Sequence, residues 1–316
     1  MTSEIDSKYS EAYVWVWLPT ATEPVVAGLL SQQGHQLVFN YGRSYLARDN
    51  AIALYAPELP LRSGSQQLLP MMGMPSCIRD ASPDAWGRRV LINRKLGTAG
   101  VDPSQVELSE LTYLLESGSD RIGALDFQHS ATQYVARHTP QPTLEELLTA
   151  AEKVDRGMPL SSELDQALLH GTSLGGARPK VMLNDGKRKF IAKFSASNDL
   201  YSVVKAEFIA MRLAEKVGLK VAPVHLRRAL GKDVLLIERF DRTWRDESWH
   251  RRAMVSALTI LELDEMMAAY ASYENLAEVI RHQFSNPKAT LLELFSRIVF
   301  NILCGNTDDH ARNHAA

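Results

Sequence analysis

The densest group of chemistry-bearing residues in this 316-residue sequence is GNTDDHARNHAA, residues 305–316. Asp308 and Asn313 stand five apart, the D-x-x-x-x-N spacing of a phosphoryl-transfer loop. In such a loop the aspartate accepts a hydroxyl proton and the asparagine holds magnesium. Two other readings fit the same residues. His310 and His314, four apart, would share one helical face and could bind a metal, although a zincin needs glutamate after the first histidine and Ala311 stands there. Alternatively Asn306, Thr307 or Asp308 caps a new helix.

Three upstream stretches bear on the choice. HGTSLGGARPK (170–180) places glycines, a serine and a threonine before a strand, where backbone N–H groups can approach an anion without a Cβ in the way. It is not a Walker loop, and an ordinary polar turn is the competing reading. Lys193 lies within FIAKF. Strand alternation puts Phe190, Ala192 and Phe194 on one face and Ile191 and Lys193 on the other. A lysine there can reach phosphates held under the glycine loop, and Glu207, early in the next helix, can pair with it. VLLIERFDR (234–242) is an apolar strand ending in charges. There the backbone N–H and C=O groups of Glu238 and Phe240 could meet an adenine edge, and Asp241 the ribose hydroxyls. Each feature alone has a bland alternative: an edge lysine, a solvated helix acid, a charged strand end. Their order, from glycine loop to D-x-x-x-x-N, is that of a bilobal kinase.

The elements that must position these residues are also legible. AYVWVWL (12–18), HQLVFNY (35–41) and IALYA (52–56) read as strands of a small β-rich unit. A helix is expected over 82–97, with Ser82 as N-cap and Pro83 in its first turn. RHTPQPT (137–143) reads as a linker, and Thr143 with Glu146 as a capping box opening a helix. KVMLNDGKRKFIAKF (180–194) reads as a hairpin around Asp185-Gly186. Val204, Phe208 and Met211 mark an amphipathic helix closed by Gly218. The remainder after residue 240 reads as helical, with Leu291, Leu294, Ile298 and Ile302 on one face and Gly305 as the stop. The fold class is therefore α+β. Residues 1–136 read as a β-rich unit, 137–240 as a region like a kinase N-lobe, and 241–316 as the start of a helical C-lobe.

Composition narrows the function classes. Hydrophobic residues make up 45% and charged residues 23%, with a net charge of −2. That balance does not favour nucleic-acid binding through bulk charge. No apolar run reaches membrane-spanning length, and the acidic N-terminus lacks signal-peptide character. Cys77 and Cys304 fit a reducing cytoplasm, where a disulfide between them is disfavoured.

Taken together, these motifs resemble the HipA family of toxin kinases. The resemblance rests on residues 25–62, SPDAWGRR (82–89), SDRIGALDF (119–127), SLGGARPK (173–180), IAKF (191–194), VLLIERFDR (234–242) and NTDDHARNHA (306–315). It implies ATP and Mg²⁺ as cofactors and phosphate transfer to a protein Ser or Thr. Lys193 would hold the α/β phosphates with Ser173, Gly175 and Gly176 in the ATP loop. Asp308 would be the base, His310 its support and Asn313 a magnesium ligand. Ser173 matches the serine that such kinases autophosphorylate to switch themselves off. The family implies a small DNA-binding HipB-like antitoxin as partner, DNA contact only through it, and aminoacyl-tRNA synthetases as one substrate class. The family also carries a second magnesium-binding aspartate about two dozen residues beyond the catalytic loop, by analogy with the kinase template. The expectation is therefore of a truncated, impaired kinase, or of a module that binds nucleotide or antitoxin without transfer.

Overall fold

The computed structural model describes residues 8–96, 108–137, 142–158, 178–195 and 199–316, with 160, 161, 164, 168, 172 and 176. Ser173 and Gly175 lie outside the described residues.

The N-terminal region is an antiparallel sheet of order β3-β2-β1-β4, built from β1 (Glu11–Val16), β2 (Val25–Gln33), β3 (Gln36–Tyr41) and β4 (Leu125–Gln128). Helices α1 (Arg43–Leu46), α2 (Ser76–Arg79), α3 (Ala85–Leu96) and α4 (Glu110–Glu116) lie between β3 and β4 in the chain. Val14, Leu30, Phe39 and Phe127 form its core with Tyr41, Tyr45 and Leu114.

Residues 52–56 do not form the expected strand. The Tyr45 hydroxyl donates to Ile52 O, and the Tyr41 hydroxyl accepts from Leu54 N–H. Tyrosine side chains thus satisfy backbone groups that a strand would have sent to a sheet neighbour. Conversely, β2 was not among the expected strands, because VVAGLLSQQ shows no clean alternation.

The second sheet has order β5-β6-β8-β7, from β5 (Lys180–Asp185), β6 (Arg188–Phe194), β7 (Val224–Ala229) and β8 (Lys232–Glu238). The predicted hairpin is present, with Lys180 opposite Lys193 in its register. Helix α5 (Leu144–Asp155) opens with the predicted capping box of Thr143 and Glu146. Its buried face meets the sheet at Val181, Phe190, Ala192 and Phe194. Trp86 and Val90 of α3 enter that same core, so the first region contributes to the packing of the second. Helix α6 (Val203–Lys216) packs Val204, Phe208 and Met211 against Val224 and Leu235.

The predicted cap of α3 is displaced. The helix starts at Ala85, and the Ser82 hydroxyl donates to Glu110. Residue 137, the first of the expected linker, is held by protein contacts, and residues 138–141 lie outside the described residues. The Arg137 guanidinium binds Ser117 O, Phe127 O and Asp126, which ties residue 137 into the first region.

Residues beyond 240 are not purely helical. Strands β9 (Arg242–Arg245) and β10 (Ser248–Arg251) form a hairpin whose turn residues Asp246 and Glu247 both have positive φ. Two such residues build a primed turn, but an Asp-Glu pair lacks the glycine that usually announces one. Helices α7 (Ala257–Ile260), α8 (Tyr273–Gln283) and α9 (Pro287–Cys304) follow, with Leu258, Ile280, Leu294 and Ala311 in a third core. Cys77 is buried, Cys304 is exposed, and both are free thiols. No helix among the described residues is long and apolar enough to cross a membrane.

Candidate active site

Lys193 sits on β6 with alternate neighbours Phe190, Ala192 and Phe194 buried in the core. Its own face is the opposite one, as the alternation predicts, and α6 covers it: Leu235, the register partner of Lys193 on β8, is buried there. The Nζ donates to Glu207 Oε1 of α6 at 2.6 Å. Both side chains are about 30% exposed, so the pair contributes little to stability, about 0–1 kcal/mol. Its role is to point an ammonium group.

Lys180 stands opposite Lys193 and is 5% exposed. Its Nζ lies where a side chain on Gly176 would begin: a Cβ there would stand 2.7 Å from it. Gly176 also has φ +93°, so glycine is favoured there by the backbone. Burial, and then the charge of Lys193, push the Lys180 ammonium down to about 7. In the sequence this lysine is only the last residue of SLGGARPK, and neither its type nor its place at a strand start signals burial.

That shift has a measurable consequence. The folded value lies below the unfolded one of 10.5. Between them the unfolded chain holds a proton that the folded chain lacks, so raising the pH favours folding. Stability should climb from pH 7 to pH 9 by up to about 1 kcal/mol per pH unit from this group. Urea unfolding of the Lys180→Met variant should show that climb flattened. An unchanged slope would place the ammonium in a solvated setting.

The catalytic-loop candidate follows α9, which Gly305 closes. Residues Ala311–Asn313 form a single 3₁₀ turn flanked by extended residues His310 and His314. The two histidines therefore do not share a helical face, and they turn to different partners. His314 Nε2 is 2.7 Å from Asp309 Oδ1. His310 Nδ1 accepts from Arg312 N–H, leaving its proton on Nε2, the nitrogen 3.6 Å from Asp308 Oδ1. Among the described residues no cluster of three or more metal-ligating side chains occurs.

The two adjacent aspartates have separate environments. The Asp308 side chain is 89% exposed. Its backbone is fixed: its N–H donates to Asn306 Oδ1, and its carbonyl accepts from Asn313 Nδ2 at 2.5 Å. The Asn313 amide oxygen is thereby the group that residue can offer a cation. Asp309 is instead immobilised by Asn301 Nδ2 at 2.7 Å, by His314 and by the Tyr273 hydroxyl. Burial alone would raise its carboxyl, but the hydrogen bonds from Tyr273, Asn301 and His314 prevail and hold it below the usual range. Asp308 is thus the available carboxylate and Asp309 the brace.

The hinge reading needs two corrections. The Glu238 N–H donates to Pro223 O at 2.9 Å, so it is not open to an adenine edge. Glu238 and Phe240 border a hollow of about 480 Å³ with Lys189, Trp244 and Trp249. Asp241 does not face the site. It is 3% exposed, and its carboxylate accepts from Arg239, Arg242 and the Gly123 N–H at 2.8–3.0 Å. Arg239 and Arg242 also reach Asp120 and the Arg121 carbonyl. With both oxygens bonded to protein, Asp241 joins two regions of the chain rather than holding a ribose.

The structure gives SPDAWGRR a role that the sequence did not show. Asp84 Oδ1 accepts from Arg312 Nη2 at 2.6 Å, and Asp84 Oδ2 accepts from the Gly176 N–H. The Trp86 N–H donates to Gly176 O, and its indole to Lys180 O at 2.8 Å.

Comparison with known proteins agrees with this architecture. Residues 16–128 match the HipA N-terminal domain, and residues 172–316 match the HipA-like C-terminal domain. The chain is 26% identical over 313 residues to the protein named "Putative kinase Y4mE" of Sinorhizobium fredii, covering 91% of this chain and 70% of that one. It is 27% identical over 160 residues to a "Putative kinase" of Haemophilus influenzae, covering 45% of this chain and 47% of that one. Among solved structures it resembles the HipA–HipB–operator DNA complex of Shewanella oneidensis, with TM-score 0.64 and 19% identity, covering 96% of this chain and 72% of that one. The last likeness concerns the fold, which is protein-kinase-like. With both domain models matched in order and sharing the Trp86-centred core between them, the chain belongs to the HipA family.

Proposed function

We propose that this protein is a Ser/Thr protein kinase of the HipA toxin type that uses ATP and Mg²⁺. The observation that carries the reading is the Lys193–Glu207 pair at 2.6 Å, a strand lysine held by a helix acid. A lysine so held presents its remaining N–H donors to phosphate oxygens. Lys180 adds a second ammonium beneath Gly176, and an approaching phosphate favours its charged form. The Phe240 backbone faces the adenine edge.

Asp308 is the general base. Its exposed carboxylate can meet a hydroxyl of a protein side chain, while His310 borders it and Asn313 fixes its backbone. The residues fit magnesium: the Asn313 amide oxygen is a hard oxygen donor on the same short loop as Asp308, and Mg²⁺ keeps several waters. A bound Mg²⁺ supplies neutralisation of phosphate charge. Ser173 is the candidate autophosphorylation site. A HipB-like DNA-binding antitoxin is the proposed partner, consistent with the composition of the Shewanella complex. Protein substrates of the aminoacyl-tRNA synthetase class follow from the family alone.

The test is nucleotide binding by calorimetry with Mg²⁺. Lys193→Met removes a charge-assisted contact of about 1.5–3 kcal/mol, so the Kd for ATP should rise about tenfold to a hundredfold. The melting temperature should hardly change, since the pair is partly solvated. Equal ATP affinity of wild type and variant would sink the reading.

A further inference from the structure

We infer that Asp84 and Arg312 form a clamp that sets the position of the glycine segment relative to the catalytic loop. Asp84 divides its two carboxylate oxygens between the elements. Oδ1 takes the Arg312 guanidinium, and Oδ2 takes the Gly176 N–H. Arg312 lies within the 3₁₀ turn after Asp308, and its own N–H donates to His310 Nδ1. A single carboxylate is therefore bonded directly to one residue of each loop.

The surroundings hold both ends of the clamp. Arg312 Nη1 is also 3.2 Å from Asp80 and 3.1 Å from Glu265, so the guanidinium is gripped by three carboxylates. Asp80 in turn accepts from Ser256 N–H and Thr259 Oγ1, which fixes the start of α7. On the other side, Trp86 bonds both Gly176 O and Lys180 O. Gly87 lies so close that a Cβ there would stand 1.9 Å from Thr172 O, so no larger residue fits that contact. Only an arginine has the forked donors to meet Asp80, Asp84 and Glu265 together.

The functional half of this inference rests on the kinase reading above. Asp84 and Arg312 touch neither base nor nucleotide in that reading. They are positioning residues, and their effect is on geometry: a misplacement of about 1 Å between reacting groups can cost about a hundredfold in rate. The segment that sets this distance belongs to the first region of the chain, outside the two catalytic lobes.

The experiment is hydrogen–deuterium exchange on the full 316-residue protein, with Asp84→Asn, Arg312→Gln and the double variant. Asparagine keeps the size of the side chain, and Arg312→Lys is a second variant should glutamine impair folding. The Gly176 amide should exchange roughly tenfold faster in both single variants, and no faster in the double variant, because one connection is lost in each case. If wild type transfers phosphate, kcat should drop about a hundredfold in both variants while ATP affinity stays within about threefold. Arg312 variants with wild-type exchange at Gly176, or additive effects in the double variant, would overturn the clamp. If wild type neither binds nor turns over ATP, the kinase reading fails, while coupled exchange still supports the clamp.

Discussion

Asp308→Ala is expected to leave a folded protein that binds nucleotide and transfers phosphate about 10²–10⁴-fold more slowly, the range of a lost general base. The prediction follows from how differently the two adjacent aspartates are held. The Asp308 side chain is almost fully exposed, so its removal strips no packing and the melting temperature should stay unchanged. Asp309→Ala should behave in the opposite way. It deprives Asn301, His314 and Tyr273 of a common acceptor and should loosen the end of α9. Quenched-flow transfer assays paired with thermal melts separate the two cases. Mass spectrometry for phosphate on Ser173 supplies an independent readout. Full transfer by Asp308→Ala would assign the base elsewhere.

The largest effect on stability is expected from Asp120→Ala. Asp120 receives Arg242 Nη2 at 2.8 Å, Lys189 Nζ at 2.6 Å and Arg239 Nη1 at 3.2 Å. Removing it takes from Lys189 its carboxylate partner and leaves Arg239 and Arg242 sharing Asp241. Breaking such a buried network by deleting one partner costs about 3–5 kcal/mol, or a fall in melting temperature of roughly 10 °C. Acid should mimic the deletion. Burial alone would raise the carboxyls of Asp120 and Asp241, but the neighbouring arginines outweigh it and lower both, Asp241 to about 2. Folded values below the unfolded 3.8 mean that the stabilisation is present above pH 4 and is lost as the pH falls toward 2. Wild type should therefore lose stability steeply below pH 4, and Asp120→Ala less steeply. Parallel acid profiles would show that Asp120 does not carry the network.

The same network accounts for one misplacement of function. Asp241 follows a strand and stands where a ribose ligand belongs in a kinase, and its type is right for that task. Arg239 and Arg242 flank it in sequence, yet only the fold brings Asp120 and Gly123 from more than a hundred residues away. SDRIGALDF and VLLIERFDR are thus two halves of one buried interface.

What the sequence determined by itself is whatever depends on neighbours along the chain. The β5–β6 hairpin is encoded by Asp185-Gly186 and alternation. The placing of Lys193 on the face opposite Phe190 and Phe194 follows from the same period of two, and its pairing with Glu207 from a strand followed directly by a helix. The α5 cap is written in Thr143 and Glu146, and the D-x-x-x-x-N spacing sits within one turn and its flanks. Only the tertiary structure decided which polar residues are braces and which are available. Asp308 and Asp309 are equivalent as letters, and nothing local tells that Lys180 is buried or that Asp84 is bonded through both oxygens. Each is sorted by partners from distant segments: Tyr273 for Asp309, Gly176 for Lys180, Arg312 for Asp84. The physical reason is that burial and charge compensation are set by what packs nearby, while periodicity and capping are set by the local backbone.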